Sequence, residues 1–491
     1  MPLKRTTRQP SPSGARVAAS PSPQLSIVAG LAIRPVPGAT AARAAEPSEA
    51  SHSAGGIVLA LAVPFIFLHV DYQPHVTVAI ATVSVKVTAA DVALLVVAVS
   101  AVVSVIRDGA GPLRHGKPLW LATAALLAWI CLTTVRAGVE TDGYAFADHA
   151  VSALKFAEYA VLAAAVPLLL RRASDMRLFL RSLVGWGAVA SVVGLAQFFG
   201  ADIFEAWRPG RRQGSFLGHH DLAALALCSL GVAFAAILAG RGRSSRGAAA
   251  AAGVGTVGTV LSGAVAAVGG LLLAAPAAVL VAWRPFRPGL KRAAVVGAVV
   301  AVCTVGVVSL RGGELDAFVR YLGVSSREQQ SGVESYSHRT VLAYIGLRIF
   351  LDHPVLGVGW QGSGDVASFL PYVPDAKRRF PEVAEEAFPA AERPWGVQDA
   401  YVQSLADMGI LGLLAFLAPF AAGVWLAVRA VRRGAAPAAE LGLVALVIVL
   451  GTLGIWSAEG LVAGIPLDAV TWIGMGLAVA ATGAGRGSLG P

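Results

Sequence analysis

Three short stretches of this chain combine residue types that can do chemistry. The first is RPGRRQGSFLGHHDLAA (208–224), with Arg208, Arg211 and Arg212 close together and a His219-His220 pair after them. Guanidinium forks match phosphate oxygens bidentately, so an arginine cluster at a membrane surface suits a pyrophosphate, or at the least a lipid headgroup. Adjacent histidines on a helix diverge by about 100° and do not form one metal site by themselves. A structural role is the simpler reading for each.

The second stretch is SHRTVLAYIGLRIFLDHPVLGVGWQGSG (337–364). His338 and Arg339 open a helix expected over about 337–351, with Ser337 as its cap and Pro354 as its stop. Leu342, Ile345 and Ile349 give that helix an apolar face. Its first turn favours an anion. The glycine run after Pro354 lets the backbone turn sharply and approach a ligand closely, although its spacing is neither Walker nor Rossmann.

The third is GVQDAYVQSLADMGILGLLAFL (396–417), in which Gln398, Asp399, Gln403 and Asp407 precede an apolar run. Asp399, Gln403 and Asp407 fall at i, i+4 and i+8, so that face is expected to look into a polar cavity and not into lipid. Acids stabilising a helix N-terminus would account for Asp399 but less well for Asp407. Elsewhere, Lys155 and Glu158 are expected to pair at i, i+3, and Glu459 and Asp468 could line one cavity.

These stretches need a scaffold, and the composition names its class. The 491 residues are 56% apolar and 14% charged, against roughly 25% charged in a soluble domain. A soluble globule could not hide so much apolar surface. Gly and Pro, at 55 and 27 positions, are frequent in membrane helices. The fold class is therefore an all-α polytopic membrane protein with ten to twelve spans. With about 20 residues per crossing, spans are expected near 55–70, 91–106, 118–136, 150–170, 182–199, 219–239, 247–262, 263–282, 293–310, 400–428, 438–458 and 464–482. Cys131, Cys228 and Cys303 each sit in an apolar run and make no metal or disulfide pattern, so they read as buried thiols.

Residues 1–50 read as a disordered cytoplasmic tail, and the short apolar run 25–33 in it is discounted as a signal peptide. With both termini cytoplasmic, 24 of the 39 basic residues and only five acids fall on the inner side. That is the positive-inside pattern, so the net charge of +10 is a topology signal and no nucleic-acid partner is implied. The division is then 55–310 for the first group of spans, 311–398 for one large exterior loop, and 399–483 for the last spans. A connector of that length is normally functional.

On these residues the chain resembles the O-antigen ligase and polymerase family of bacterial integral membrane glycosyltransferases. RRQGSFLGHHDLAALAL is similar to the family's Arg-x-x-Gly-x-Phe segment, and 339–364 to its arginine-bearing loop helix and glycine-rich sequel. In the third stretch, Gln398 and Asp399, nine residues, Gly409, two residues and Gly412 follow the family's loop-to-helix signature.

The resemblance implies transfer of a glycan from undecaprenyl pyrophosphate to an acceptor hydroxyl of a glycan or lipid, at the outer face of the bacterial cell membrane. It implies no cofactor and no metal. Arg211, Arg212 and Arg339 would bind the pyrophosphate. The base belongs at position 398, where the family's His is Gln398 and its Asn is Asp399. Gln cannot act as a general base, which leaves Asp399, with His338 as rival. It also leaves open a second reading, a non-catalytic protein that binds lipid-linked glycan within an assembly complex. A transporter would fit only the span count.

Overall fold

The computed structural model describes residues 52–80, 83–240, 245–313 and 335–484. The tail expected at 1–50 and the stretch 314–334 of the long loop lie outside them. Each of the twelve expected spans coincides with a helix. They are α1 (Ala54–Ile66), α2 (Ala89–Asp108), α3 (Lys117–Glu140), α4 (Phe146–Leu169), α5 (Ala173–Phe198), α6 (His219–Ala239), α7 (Ser245–Ser262), α8 (Val265–Phe286) and α9 (Leu290–Leu310), then α13 (Ala400–Arg433), α14 (Ala436–Ile455) and α15 (Pro466–Gly483). Between the two groups lie α10 (Ser335–Asp352) and two short helices, α11 (Val366–Phe369) and α12 (Val373–Arg379).

Among the described residues nine helices are long and apolar enough to cross a membrane: α2 to α6, α8, α9, α13 and α14. α1 is shorter, at 13 residues with Pro64 inside it, and α7 and α15 have 18 each. The chain is an all-α polytopic membrane protein. One departure is an antiparallel hairpin, β1 (His75–Ile80) and β2 (Val83–Thr88), with His75 opposite Thr88. The alternation of VTVAI and VSVKV is its period-two signal.

Apolar side chains face outward as well as into the core. α2 turns Leu95, Val102 and Ile106 outward at 62%, 58% and 77% exposure, and α3 does so with Leu121 and Val139 at 73% and 82%. A lipid-facing surface is what such rows require. α6, α14 and α15 form the enclosed centre, where most residues are buried. Cys228 and Cys303 are buried as expected, whereas Cys131 is exposed on α3.

The ends of the helices sort into two groups. At one end Ser53 donates from its amide and its hydroxyl to Asp175, both at 2.8 Å, and Ser104 donates to Leu168 O at 3.0 Å. At the other, His69 N donates to Phe216 O at 2.9 Å and Ala400 N to Trp456 O at 3.0 Å. Lys155 pairs with Asp91 of α2 at 3.0 Å, not with Glu158 as its spacing suggested. The reason is that Asp91 is fixed at the start of α2 by a capping box with Thr88, on the element packed against α4.

Candidate functional site

The loop between α5 and α6 is folded around two buried glutamines. Gln197 Nε2 donates to Ile203 O at 2.8 Å and to Ser215 O at 3.2 Å, while its Oε1 accepts from Ser215 N at 2.9 Å. Gln213 accepts from Trp207 N at 3.0 Å and donates to Arg208 O and Arg211 O, both at 3.2 Å. Buried amides must be satisfied, and here the loop backbone satisfies them. The result separates the arginines. Arg211 is exposed, whereas the Arg212 guanidinium lies 4.5 Å over the Trp207 ring.

Gly263, at the α7–α8 junction, draws a second arginine to the same place. Arg311, the first residue after α9, donates to Gly263 O at 3.3 Å. A Cβ added to Gly263 would lie 2.8 Å from Arg212 Cβ and 3.4 Å from Arg311 Cδ. The third arginine comes from α10. Arg339 Nη1 donates to Ala458 O, and its Nη2 lies 3.3 Å from His220 Nε2. Its charge is within electrostatic reach of Arg311, Glu459 and Asp399. His220 Nε2 is in turn 3.7 Å from Glu459 Oε2. Three guanidinium groups from three separate elements thus converge beside two carboxylates and an imidazole.

Asp399 is the N-cap of α13, and its Oδ1 accepts from Tyr401 N at 2.9 Å and Val402 N at 3.0 Å. Burial raises its pKa above the ordinary carboxylate value, while those amide bonds and Arg339 oppose the rise. Burial likewise raises Glu459, again against the Arg339 charge. Gln398 is half-buried beside the cap. His338 turns the other way. Its ring stands edge-on to Trp395 with centroids 4.1 Å apart, and Nδ1–H donates to Ala387 O at 2.8 Å. Burial lowers its pKa.

α10 begins at Ser335, so Ser337 lies within its first turn and is buried, not outside it as a cap. Leu342, Ile345 and Ile349 are all buried, as the helical spacing required.

The glycine-rich segment meets a helix backbone. Gly409 interrupts α13 with φ +69° and ψ −171°. A Cβ there would lie 2.2 Å from Val355 C, and one on Gly357, at φ +63°, would lie 2.3 Å from Asp407 C. Only residues without a side chain allow two backbones so close. The crossing is tied by Val358 N to Ala406 O at 3.0 Å, Gly359 N to Asp407 O at 2.8 Å and Ile410 N to Pro354 O at 2.9 Å.

Asp407, fully buried, accepts from Gln361 N at 3.0 Å, Ser363 N at 2.8 Å and Gln403 Nε2 at 3.0 Å. Gln403 Oε1 accepts from Leu461 N at 2.6 Å. The face carrying Gln403 and Asp407 therefore grips the glycine segment and the α14–α15 connection rather than opening into a cavity.

Of the sequence-derived candidates, Arg212, Arg339 and Asp399 come together. Gln398 flanks them, while Arg211 is exposed and His338 faces Trp395. Sequence reasoning did not single out Arg311, although it ends an apolar span on the side where basic residues were expected to be rare. It gave His220 only a structural role, and it grouped Glu459 with Asp468. Asp468 is buried among Phe156, Trp456 and Trp472, still within electrostatic reach of Glu459.

Residues 248–417 match the family model for O-antigen ligase. That match supports the O-antigen ligase and polymerase family for this chain, and with it glycan transfer of that general kind. It runs from α7 into α13, so it contains Arg311, Arg339, the glycine segment, Gln398 and Asp399. Arg212, His220 and Glu459 lie outside the O-antigen ligase match and reach the site through the fold. A search of the curated proteins finds no match.

Proposed function

We propose that the chain transfers a glycan from undecaprenyl pyrophosphate to an acceptor hydroxyl at the outer face of the bacterial cell membrane, with both termini cytoplasmic. The observation that carries this reading is the convergence of Arg212, Arg311 and Arg339 on one spot at the end of the helix bundle where Asp399 caps α13. In the reaction the acceptor oxygen attacks the anomeric carbon of the donor sugar. The bond from that carbon to the pyrophosphate oxygen breaks, and its electron pair leaves with the pyrophosphate. Guanidinium groups already in place neutralise the charge that builds there.

The proton of the acceptor hydroxyl needs a base. Asp399 Oδ1 is committed to two amides, which leaves the second oxygen of the carboxylate for this task. A carboxylate whose pKa is raised by burial is a better base near neutral pH than an ordinary one. Arg211, exposed at the rim, would meet the donor before the deeper arginines do.

A second reading follows from Gln398, which stands at the family's His position and carries no basic nitrogen. On it the arginine pocket binds lipid-linked glycan for an assembly complex without transferring it. The test is purified protein with undecaprenyl pyrophosphate-linked glycan and the host's envelope glycans, together with a deletion strain. Accumulated short lipid-linked units in the strain indicate a polymerase, and finished but unattached polymer indicates a ligase. Donor binding with no transfer in vitro would overturn the enzymatic reading.

A further inference from the structure

A second cavity lies apart from the arginine pocket. It has a volume of about 660 Å³ and opens between Gly143, in the α3–α4 turn, and Asp365, Val366, Ala367, Leu370 and Pro371 around α11. Its polar feature is built. His149 Nε2 donates to the Asp365 carboxylate, 2.9 Å from Oδ2 and 3.1 Å from Oδ1, with the two side chains 12% and 14% exposed. The Tyr144 ring packs on His149 with centroids 4.6 Å apart, and its hydroxyl donates to Trp360 O at 2.8 Å. The imidazole orientation is therefore set from behind.

A carboxylate offers about four acceptor positions, and one imidazole N–H cannot fill them. Asp365 lines a concavity whose other walls are apolar. That pairing selects the ligand class. A phosphate or other anion would be repelled by Asp365. An acyl chain would desolvate a carboxylate and give it no hydrogen bond. A sugar ring presents hydroxyl donors at its edge and C–H groups on its faces, which suits one acceptor among apolar side chains.

The position is also apt. A Cβ on Gly364 would lie 3.6 Å from Gly396 Cα, and Gly396 precedes Gln398 by two residues at about 3.8 Å per step.

We propose that this cavity is a saccharide subsite for the acceptor, with Asp365 accepting hydrogen bonds from sugar hydroxyls and His149 as the residue that positions it. That its sugar is the acceptor rests on the transfer reading above; that it binds sugar does not.

The experiment measures alkylation of Leu370→Cys and of Ser457→Cys, each in a Cys131→Ser background, with two probes. One probe is oligosaccharide released by mild acid from the host's own surface polysaccharide, and the other is undecaprenyl pyrophosphate. Oligosaccharide at ten times its Kd should slow modification of Leu370→Cys about tenfold, while undecaprenyl pyrophosphate leaves that rate unchanged and slows Ser457→Cys instead. Asp365→Asn and His149→Gln should each weaken the saccharide protection. Ala367→Trp, which fills the cavity while leaving both members of the pair in the sequence, should abolish it.

Protection of Leu370→Cys by undecaprenyl pyrophosphate, or undiminished saccharide protection in Ala367→Trp, would overturn the subsite. Saccharide protection at Leu370→Cys without any lipid protection at Ser457→Cys would support the subsite and count against the donor reading alone.

Discussion

Arg339 and His220 lie 3.3 Å apart, Nη2 to Nε2, although they are 119 positions apart in sequence. The contact joins α10, which lies within the long connector, to the first turn of α6. The imidazole nitrogen facing a guanidinium N–H is the one with the lone pair, so His220 accepts there. Glu459, 3.7 Å from the same nitrogen, balances the positive charge. Arg339 is thereby held before any anion arrives, and a pyrophosphate would meet preorganised donors.

From this follows a graded loss. Removing Arg339 or Arg212 should cost about 2–4 kcal/mol of transition-state stabilisation, roughly 30- to 1,000-fold in kcat/KM. Lys should rescue only partly, because it cannot present a fork. Arg311→Ala should fall in the same range, and Arg211→Ala, at an exposed position, well below it. Steady-state transfer assays on variants matched for protein level decide the ranking. Equal effects at Arg211 and Arg212 would contradict the inward assignment of Arg212.

The glycine crossing predicts a stability effect. At Gly409 an added methyl would meet the Val355 backbone 2.2 Å away, and the backbone is already in the left-handed half of conformational space. Gly409→Ala and Gly357→Ala should therefore each destabilise by about 3 kcal/mol or more, since strain adds to overlap. Asp407→Asn should cost about 1.5–3 kcal/mol, because one amide would then face a donor and not an acceptor. Thermal unfolding in detergent measures all three. A Gly409→Ala protein as stable as its parent would mean that the α13 break is not fixed by this crossing.

Topology gives a third expectation. With 24 of 39 basic residues on the assigned inner side, an impermeant thiol reagent on intact cells should modify Gln329→Cys and spare Ser244→Cys. Labelling of the second position would invert the assignment.

Much of this architecture was legible from the sequence, for physical reasons. Twenty apolar residues in a row have few alternatives to a crossing helix, so the positions of the helices followed directly. The apolar face of α10 followed from its period. Contacts across the bundle did not. Lys155 found Asp91 because the α2–α4 packing brings it there, which no local spacing encodes. His220, Glu459 and Arg311 are ordinary residues at helix ends until three helix ends meet. The glycine run read as a ligand-binding turn because close approach is all that glycine announces, and the partner proved to be the α13 backbone. The hairpin at 75–88 was missed although its alternation was visible.

The last expectation concerns the base and its pH dependence. Burial holds the Asp399 pKa above the ordinary carboxylate value, with Arg339 pulling it down. A base works only when deprotonated, so transfer should fall as pH drops through that raised pKa, at a pH above the usual value of about 4. Removing the opposing charge in Arg339→Gln should move the acid limb of the residual activity to higher pH. Asp399→Asn should abolish transfer and with it the limb. Gln398→Ala should reduce the rate modestly, and His338→Ala, whose ring packs into the α10 region against Trp395, should matter little. A rate profile in Asp399→Asn that keeps full activity and an unchanged acid limb would remove Asp399 as the base. A parent that is inactive but gains transfer as Gln398→His would establish that the pocket binds donor and that only the missing imidazole separates binding from catalysis.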